Sequence, residues 1–184
     1  AADHGADVIN LSLGATQSDN AERAAVAYAI SKNIVVAAAA GNDGCRVGLL
    51  GLGRTPPSYP AAYPGVLGVG AISSSGALAS YSDCGSWVDV VAPGSGIVST
   101  MIDNPDSDLG CNAGVGYCTL SGTSMATPYA SAAAALEIQA LGKGWRASTV
   151  QSRLQSSADD VGAAGYDGDS GYGVINPARM LAAN

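Results

Sequence analysis

The stretch Ile34–Asn42 reads IVVAAAAGN, seven uncharged apolar residues followed by glycine and asparagine. Such a run is typical of a strand buried on both faces, and the Gly-Asn pair is typical of a turn at its end. Two similar runs flank it along the chain, Ala6–Leu13 (ADVINLSL) and Val66–Ile72 (VLGVGAI), and Trp87–Val91 is a shorter fourth. Continuous apolar strands of this kind predict a parallel sheet buried beneath helices.

Helical segments alternate with these strands. The predicted helices are Ala21–Ser31, Ser124–Leu141, Ala147–Ser157 and a short one from Pro177 to Ala183. Asp19 or Asn20 would cap the first helix, and Gly142 would end the second. Residues 43–64 are predicted to be loop, and Ile97–Thr100 a short extended segment. The sequence therefore predicts an α/β fold, a parallel sheet covered by helices on both faces, in one domain over residues 1–184.

The composition excludes several classes of protein. The 184 residues carry a net charge of −7, so the chain lacks the basic footprint of a nucleic-acid-binding protein. Its apolar runs fall far short of the ~18 residues that a membrane-spanning helix needs. With 25 glycines and no phenylalanine, the core must be built from closely packed Ala, Val, Leu and Ile.

Four cysteines, Cys45, Cys84, Cys111 and Cys118, lie outside the apolar segments at spacings that match no zinc or redox motif. An even number in loops favours two disulfides, an oxidising compartment and hence a secreted protein. Three pairings are possible. We favour Cys111–Cys118, which closes a short glycine-rich loop, together with Cys45–Cys84. The alternative is four free thiols in a cytosolic protein.

The segment Gly122–Pro128 (GTSMATP) places Ser124 at the start of the long predicted helix. Helix N-termini carry unpaired N–H groups and a positive dipole end, which would stabilise negative charge developing beside a serine hydroxyl. Asn42 follows the second strand, so its amide N–H could face the same charge as the backbone N–H of Ser124. The alternatives are a serine that only caps a helix and an asparagine that only makes a turn.

Taken together, these segments resemble the subtilisin-like serine proteases. The matching blocks are GADVINLSLG at Gly5–Gly14, AAAGN at Ala38–Asn42, YPAAYPGVLGVGA at Tyr59–Ala71, DVVAPG at Asp89–Gly94, GTSMATP at Gly122–Pro128 and GYGVINP at Gly171–Pro177. The resemblance covers nearly the whole chain and implies the C-terminal portion of a subtilase catalytic domain. It implies a serine endopeptidase that forms an acyl-enzyme on Ser124 and holds the oxyanion with Asn42.

The resemblance also implies a substrate groove and a cation site. The small residues at two strand ends would leave room for a peptide to pair with the backbone. The groove residues are Ser12, Leu13, Gly14, Ala39, Ala40 and Gly41, with Ser58 at the floor of the pocket for the residue before the cleaved bond. The carbonyls of Ala61, Tyr63 and Val66 with the Asp89 carboxylate resemble a weak Ca²⁺ or Na⁺ site, for which an ordinary loop is the alternative. No organic cofactor is implied, and the implied ligand is a peptide or protein substrate.

A catalytic triad in this family needs an aspartate and a histidine ahead of the serine, on segments upstream of Gly5–Gly14. We therefore expect that the N-terminal strands are missing and that a companion, either a second chain or a lost fragment, docks along Ala6–Leu13. The single histidine, His4, precedes that strand, whose length places it roughly 25 Å from the catalytic edge at ~3.3 Å per residue. An inactive peptide-binding module is the alternative. An α/β-hydrolase is disfavoured because no histidine follows Ser124.

Overall fold

The computed structural model describes residues 1–47, 53–101 and 116–183. Within these ranges the strands are β1 (Val8–Leu11), β2 (Val35–Ala39), β3 (Arg46–Val47), β4 (Gly53–Arg54), β5 (Leu67–Ile72), β6 (Val90–Pro93), β7 (Ile97–Thr100) and β8 (Tyr117–Leu120). The α-helices there are α1 (Asn20–Ser31), α2 (Thr123–Leu141), α3 (Ala147–Ser156) and α4 (Pro177–Ala182). The main sheet is parallel, in the order β1-β2-β5-β6.

Strand β2 forms the centre of the core, and all five of its residues are buried. Val35 and Ala37 pack into a cluster with α2, α3 and α4, whereas Val36 and Ala38 pack into a second cluster with α1. Alternate side chains of one strand thus meet helices on opposite faces of the sheet. The predicted α/β architecture, with helices on both faces, is confirmed.

The two outer strands of the sheet differ in what covers them. Beyond β6, the Val91 N–H donates to the Gly173 carbonyl at 2.9 Å and the Ile175 N–H donates to the Val91 carbonyl at 3.0 Å. Strand β1 pairs with β2, and within the described ranges no second strand pairs with it. Its apolar residues are only partly buried. The β1 edge therefore has backbone groups available for a further strand.

Two sequence predictions about local structure are wrong. The fourth main strand begins at Val90 rather than Trp87, because the Val88 N–H closes a turn onto the Gly85 carbonyl and the Trp87 indole N–H donates to the Ala40 carbonyl. The predicted loop 43–64 contains the short antiparallel pair β3–β4. Strand β8, which pairs antiparallel with β7, was not predicted.

Covalent and polar anchors hold the elements in place. Cys45 and Cys84 form the predicted disulfide. Cys118 is disulfide-bonded too, and its predicted partner, Cys111, lies outside the described residues. At the start of α1 the Asp19 carboxylate accepts the Glu22 N–H at 2.8 Å, so Asp19 is the cap. No helix in the described part of the chain is long and apolar enough to cross a membrane.

Helix α2 is fixed to α3 by a buried ion pair. The Glu137 side chain is fully buried, and its Oε1 lies 2.5 Å from Nη1 of Arg153, whose side chain is 29% exposed. Helix α2 also packs against all four strands of the main sheet and begins where those strands end. The ion pair in the C-terminal half of α2 and the contacts of α2 with the sheet together fix the position of its N-terminus.

Candidate active site

Ser124 lies in the first turn of α2, beside the end of β1. Its hydroxyl donates to the Ser12 carbonyl at 3.2 Å, and the Ser12 hydroxyl donates to the Ser124 carbonyl at 2.7 Å. This reciprocal pair ties the segment after β1 to the start of α2. Ser12, predicted as part of the groove, thus contacts the candidate nucleophile itself.

The first N–H groups of α2 differ in their acceptors. The Thr123 N–H donates to the Asn42 side-chain carbonyl at 2.8 Å, and the Met125 and Ala126 N–H groups donate to the Gly122 carbonyl at 3.0 and 3.3 Å. The Ser124 N–H has no acceptor among the described residues. A free N–H at a helix N-terminus is a donor ready for an anion.

Asn42 is held in one orientation by Thr123. The Thr123 hydroxyl lies 3.0 Å from Asn42 Oδ1 and 3.3 Å from both the N–H and the carbonyl of Gly41. With Oδ1 engaged in this way, the NH₂ group of Asn42 is left on the other branch of the amide, and the amide as a whole lies beside Gly122. The structure thus brings a side-chain amide donor and a backbone donor to the start of α2.

Thr123 was missed by the sequence reasoning, although it precedes Ser124 in the quoted motif. It is fully buried, and its hydroxyl contacts a segment more than eighty residues earlier in the chain. The motif could have signalled it, because a buried threonine hydroxyl needs a partner. The partner, however, becomes known only from the three-dimensional fold.

A cavity of about 140 Å³ adjoins Ser124 and Asn42. Its wall includes five of the seven residues predicted to bind substrate: Leu13, Gly14, Ala39, Gly41 and Ser58. Gly14 and Ser58 face each other closely, because a Cβ at Gly14 would lie 2.6 Å from the Ser58 Oγ. Ser58 therefore narrows the pocket opposite Gly14.

Ala40 is not among the residues that line this cavity, and its predicted part in the substrate groove stays a prediction. It is fully buried, its N–H donates to the Val69 carbonyl at 3.0 Å, and its carbonyl accepts the Trp87 indole N–H at 3.1 Å. Both of its backbone groups are therefore engaged within the fold. A substrate backbone would have to pair with its neighbours instead.

Two carboxylates line the same cavity, those of Asp43 and Asp83. Asp83 is 2% exposed, and its Oδ1 accepts the Asp43 N–H at 2.6 Å. Burial raises the pKa of Asp83 to about 6, and the neighbouring negative charge of Asp43 adds to this rise. Neither aspartate was singled out from the sequence, because Asp83 reaches the pocket from a segment forty residues further along the chain.

The described contacts of the predicted cation site are hydrogen bonds within the fold. The Asp89 carboxylate accepts the Gly68 N–H at 2.8 Å and the Gln155 side-chain N–H at 3.0 Å, and the Tyr63 carbonyl accepts the Val66 N–H at 3.2 Å. Burial raises the pKa of Asp89. Each of these oxygens accepts one hydrogen bond and has a second lone pair. The predicted ligands Ala61, Tyr63, Val66 and Asp89 remain a prediction.

Other candidate ligands and bases lie away from Ser124. His4 is exposed in a 3₁₀ turn that precedes β1, whereas Ser124 lies beyond the carboxyl end of that strand. Cys45, Cys84 and Asp169 form the single close group of potential metal ligands within the described ranges, and the two sulfurs are joined in the disulfide. Neither arrangement supplies a general base to Ser124.

Comparisons with known proteins bear on this arrangement. The chain matches the subtilase family over residues 1–173. It is 41% identical over 170 residues to a subtilisin of Bacillus pumilus, a match that covers 92% of this chain and 54% of that protein. Subtilisin E of Bacillus subtilis (strain 168) is 42% identical over 170 residues, covering 92% and 39%, and thermitase of Thermoactinomyces vulgaris is 40% identical over 165 residues, covering 90% and 51%.

The parallel sheet, with a serine at a helix N-terminus where its strands end, defines an α/β protein with a candidate nucleophile at the expected edge of the sheet. The chain belongs to the subtilase family. It spans about half the length of the curated relatives it matches, or less.

Proposed function

We propose that the chain is the nucleophile-bearing portion of a serine endopeptidase and that Ser124 forms the acyl-enzyme. The observation that carries the proposal is the position of the Ser124 hydroxyl, at a helix N-terminus that adjoins a pocket of about 140 Å³. Attack of its oxygen on a peptide carbonyl would form a tetrahedral oxyanion, and collapse of that species would release the amine and leave the ester. Membership of the subtilase family supports the same chemistry.

Two donors are suited to stabilise the oxyanion. The Ser124 N–H has no acceptor among the described residues, and the Asn42 NH₂ is oriented by the bond from Thr123 to Asn42 Oδ1. Donors that are oriented before the substrate arrives do not have to reorganise when the charge develops, which makes them effective in stabilising a transition state. We therefore assign Asn42 and the Ser124 N–H to the oxyanion hole.

No described side chain forms a hydrogen bond with the Ser124 hydroxyl through which it could act as a general base. The Ser124 hydroxyl donates to the Ser12 carbonyl, which cannot take a proton from it, and the single histidine of the sequence lies before β1. A serine needs a positioned base in order to act as a nucleophile. We propose that a histidine, oriented by an aspartate, is supplied by the remainder of a subtilase domain, in the same polypeptide or as a second chain.

An apolar surface next to Ser124 is suited to receive that remainder. Tyr129 and Leu136, which are 43% and 45% exposed, share one face of α2 with Ala132. A second cavity, of about 370 Å³, separates this face from β7, and its lining residues include Ser124 and Val98, which is 65% exposed. A side chain brought into this cavity would reach the hydroxyl, while the same partner could extend the sheet at β1.

Activity-based labelling tests the assignment of Ser124. In the complete protein, that is, the chain with whatever polypeptide accompanies it, a fluorophosphonate probe should label Ser124. The variant Ser124→Ala should lose the label. Ser131→Ala is the matched control, because Ser131 is a partly exposed serine of the same helix whose hydroxyl donates to Asn10. Labelling that persists in Ser124→Ala would contradict the proposal.

The accompanying polypeptide can be tested separately. Size-exclusion chromatography with intact-mass analysis should find the chain joined to a further segment that contains histidine and aspartate, either in one longer polypeptide or as a bound second peptide. A monodisperse monomer of 18.0 kDa without any other peptide would contradict the docking proposal.

A peptide-binding module without catalytic activity is the second candidate, and the absence of a base near Ser124 among the described residues favours it. It predicts that peptides bind at the groove while neither labelling nor cleavage occurs in the complete protein. Retention of an N–H donor pair beside a serine hydroxyl favours the enzyme instead, since binding alone does not need an oxyanion site.

We also propose a secreted, extracellular location, supported by the Cys45–Cys84 disulfide and the disulfide bond of Cys118, because disulfides persist in oxidising compartments. The proposed chemistry uses no organic cofactor. Ca²⁺ or Na⁺ at the Asp89 site enters no step of it.

A further inference from the structure

The pocket beside Ser124 is acidic. Asp43 and Asp83 line it, and no described residue of its lining is lysine, arginine or histidine. Among the described residues neither carboxylate forms an ion pair with a basic side chain. In the described part of the chain, the pocket thus places two acidic residues close to the proposed nucleophile.

Asp83 is built into the wall rather than displayed on the surface. It is 2% exposed, and its carboxylate lies directly against the α-carbon of Gly41, where a Cβ would collide with Oδ2. The Asp43 N–H fixes its other oxygen at 2.6 Å. A buried carboxylate held in this way keeps its position when a ligand binds. Burial raises the pKa of Asp83 to about 6, although the backbone N–H donors that it accepts partly offset the rise.

Ser58 provides an independent sign that a polar ligand group enters the pocket. The residue is 5% exposed, it lines the cavity opposite Gly14, and its hydroxyl makes no hydrogen bond with any described residue. No buried side-chain nitrogen or oxygen atom among the described residues lacks a partner, so the Ser58 hydroxyl oxygen is open to the cavity rather than sealed in the core. A substrate group that reached the pocket floor would meet this hydroxyl.

We infer that the pocket selects lysine or arginine as the residue before the scissile bond, with Asp83 and Asp43 as the specificity-determining residues. This inference rests on the proposed peptidase function and deepens it. The cavity of about 140 Å³ has the room of four or five water molecules at about 30 Å³ each, which suits one unbranched side chain.

The ammonium group decides between lysine and norleucine, which has the same four-carbon stem without the terminal nitrogen. The lysine stem would contact Leu13, Gly14 and Ala39, and its ammonium group would approach the two carboxylates. The norleucine stem could make the same apolar contacts, but it would offer the two carboxylates no cationic partner. Truncating or omitting one member of a close charge pair weakens association by about tenfold or more.

Binding of product-like peptides tests the inference without requiring catalysis. Two tetrapeptides with free carboxyl termini, identical except for a final lysine or norleucine, are titrated into the complete protein by calorimetry at pH 7.5 and low salt. We expect the lysine peptide to bind at least about tenfold more tightly. This preference should shrink in Asp83→Asn and in Asp43→Asn. Because Asp43 is exposed, its variant should fold even if Asp83→Asn does not.

Asp7→Asn is the matched control, since it removes the same charge from an exposed aspartate before β1 and should leave the preference unchanged. Equal binding of the two peptides, tighter binding of the norleucine peptide, or no detectable binding of either would overturn the inference. So would an unchanged preference in Asp43→Asn and Asp83→Asn.

A kinetic arm distinguishes this inference from the proposed function. In the complete protein, kcat/KM for a lysine substrate should exceed kcat/KM for its norleucine counterpart. The ratio of the two values should decrease when the pH is lowered below about 6, because Asp83 then becomes protonated. Cleavage with the opposite preference would overturn the acidic-pocket inference and leave the peptidase intact. Binding with the expected preference but without cleavage or labelling of Ser124 would refute the peptidase and leave the pocket intact.

Discussion

Replacing Arg153 by methionine should strongly destabilise the protein, because it would leave the fully buried Glu137 carboxylate without its cation. The two groups approach to 2.5 Å, and they join α3 to the helix that carries Ser124. Breaking a buried ion pair by removing one partner costs about 3–5 kcal/mol. We expect the lower end of that range, since the Arg153 side chain is 29% exposed and water screens part of the interaction.

A loss of about 3 kcal/mol would be a large fraction of the roughly 5–15 kcal/mol that stabilises a typical domain. Urea unfolding followed by the fluorescence of Trp87 and Trp145 would measure it as a lower midpoint with an unchanged slope. The double variant Glu137→Met/Arg153→Met should recover most of the loss, because no buried charge then remains.

Arg179→Met is the matched control. Arg179 and Asp159 also form a close pair, at 2.6 Å, but their side chains are 57% and 46% exposed. Such pairs contribute about 0–1 kcal/mol. The reasoning would be refuted if Arg153→Met lost no more stability than Arg179→Met, or if the double variant were as unstable as the single one.

Three further predictions concern the site and its surroundings. In the complete protein, Asn42→Ala should lower kcat with little change in KM. The scale for comparison is the loss in kcat on the order of 10²–10³ known for the oxyanion-hole asparagine of a subtilisin, a member of the same family. An equal rise in KM would argue against a role of Asn42 in the oxyanion hole. Because burial raises the pKa of Asp83 from 3.8 to about 6, the folded protein retains that proton where the unfolded chain has lost it. The free energy of unfolding should therefore fall as the pH rises from about 4 to about 6, and urea titrations of Asp83→Asn should lack that part of the slope. Replacing Cys45 and Cys84 by serine opens a link between residues separated by 39 positions, which should lower the free energy of unfolding by about 2–4 kcal/mol in thermal or urea unfolding; an unchanged midpoint would contradict this.

The core of the fold was predictable because it depends on local sequence. The run Ile34–Ala40 is long enough and apolar enough to be a fully buried strand, and the structure buries all of it. Strand β8 was not predictable in the same way. Its four residues, Tyr117–Leu120, alternate between exposed and buried side chains for too short a stretch to be distinctive, and its pairing with β7 involves residues about twenty positions away.

The same distinction applies to the candidate site, where some residues are recognisable from local sequence and others only from distant contacts. A serine at a helix start and an asparagine after a strand are local patterns, and the structure brings Ser124 and Asn42 to one cavity. Thr123, Asp43 and Asp83 gain their significance from contacts made across forty to eighty positions of the chain. Propensity and motif spacing carry no information about such contacts until the topology is known.

The hydroxyl and the N–H of Thr123 both bond to Asn42 Oδ1 and so attach the Asn42 side chain to the start of α2. A free asparagine side chain samples several rotamers, and fixing it when a substrate arrives would consume part of the affinity. Here that conformational entropy is already lost when the protein folds. A poor substrate should therefore meet the same well-ordered amide as a good one, and the rates of the two should diverge through how each peptide lies in the groove.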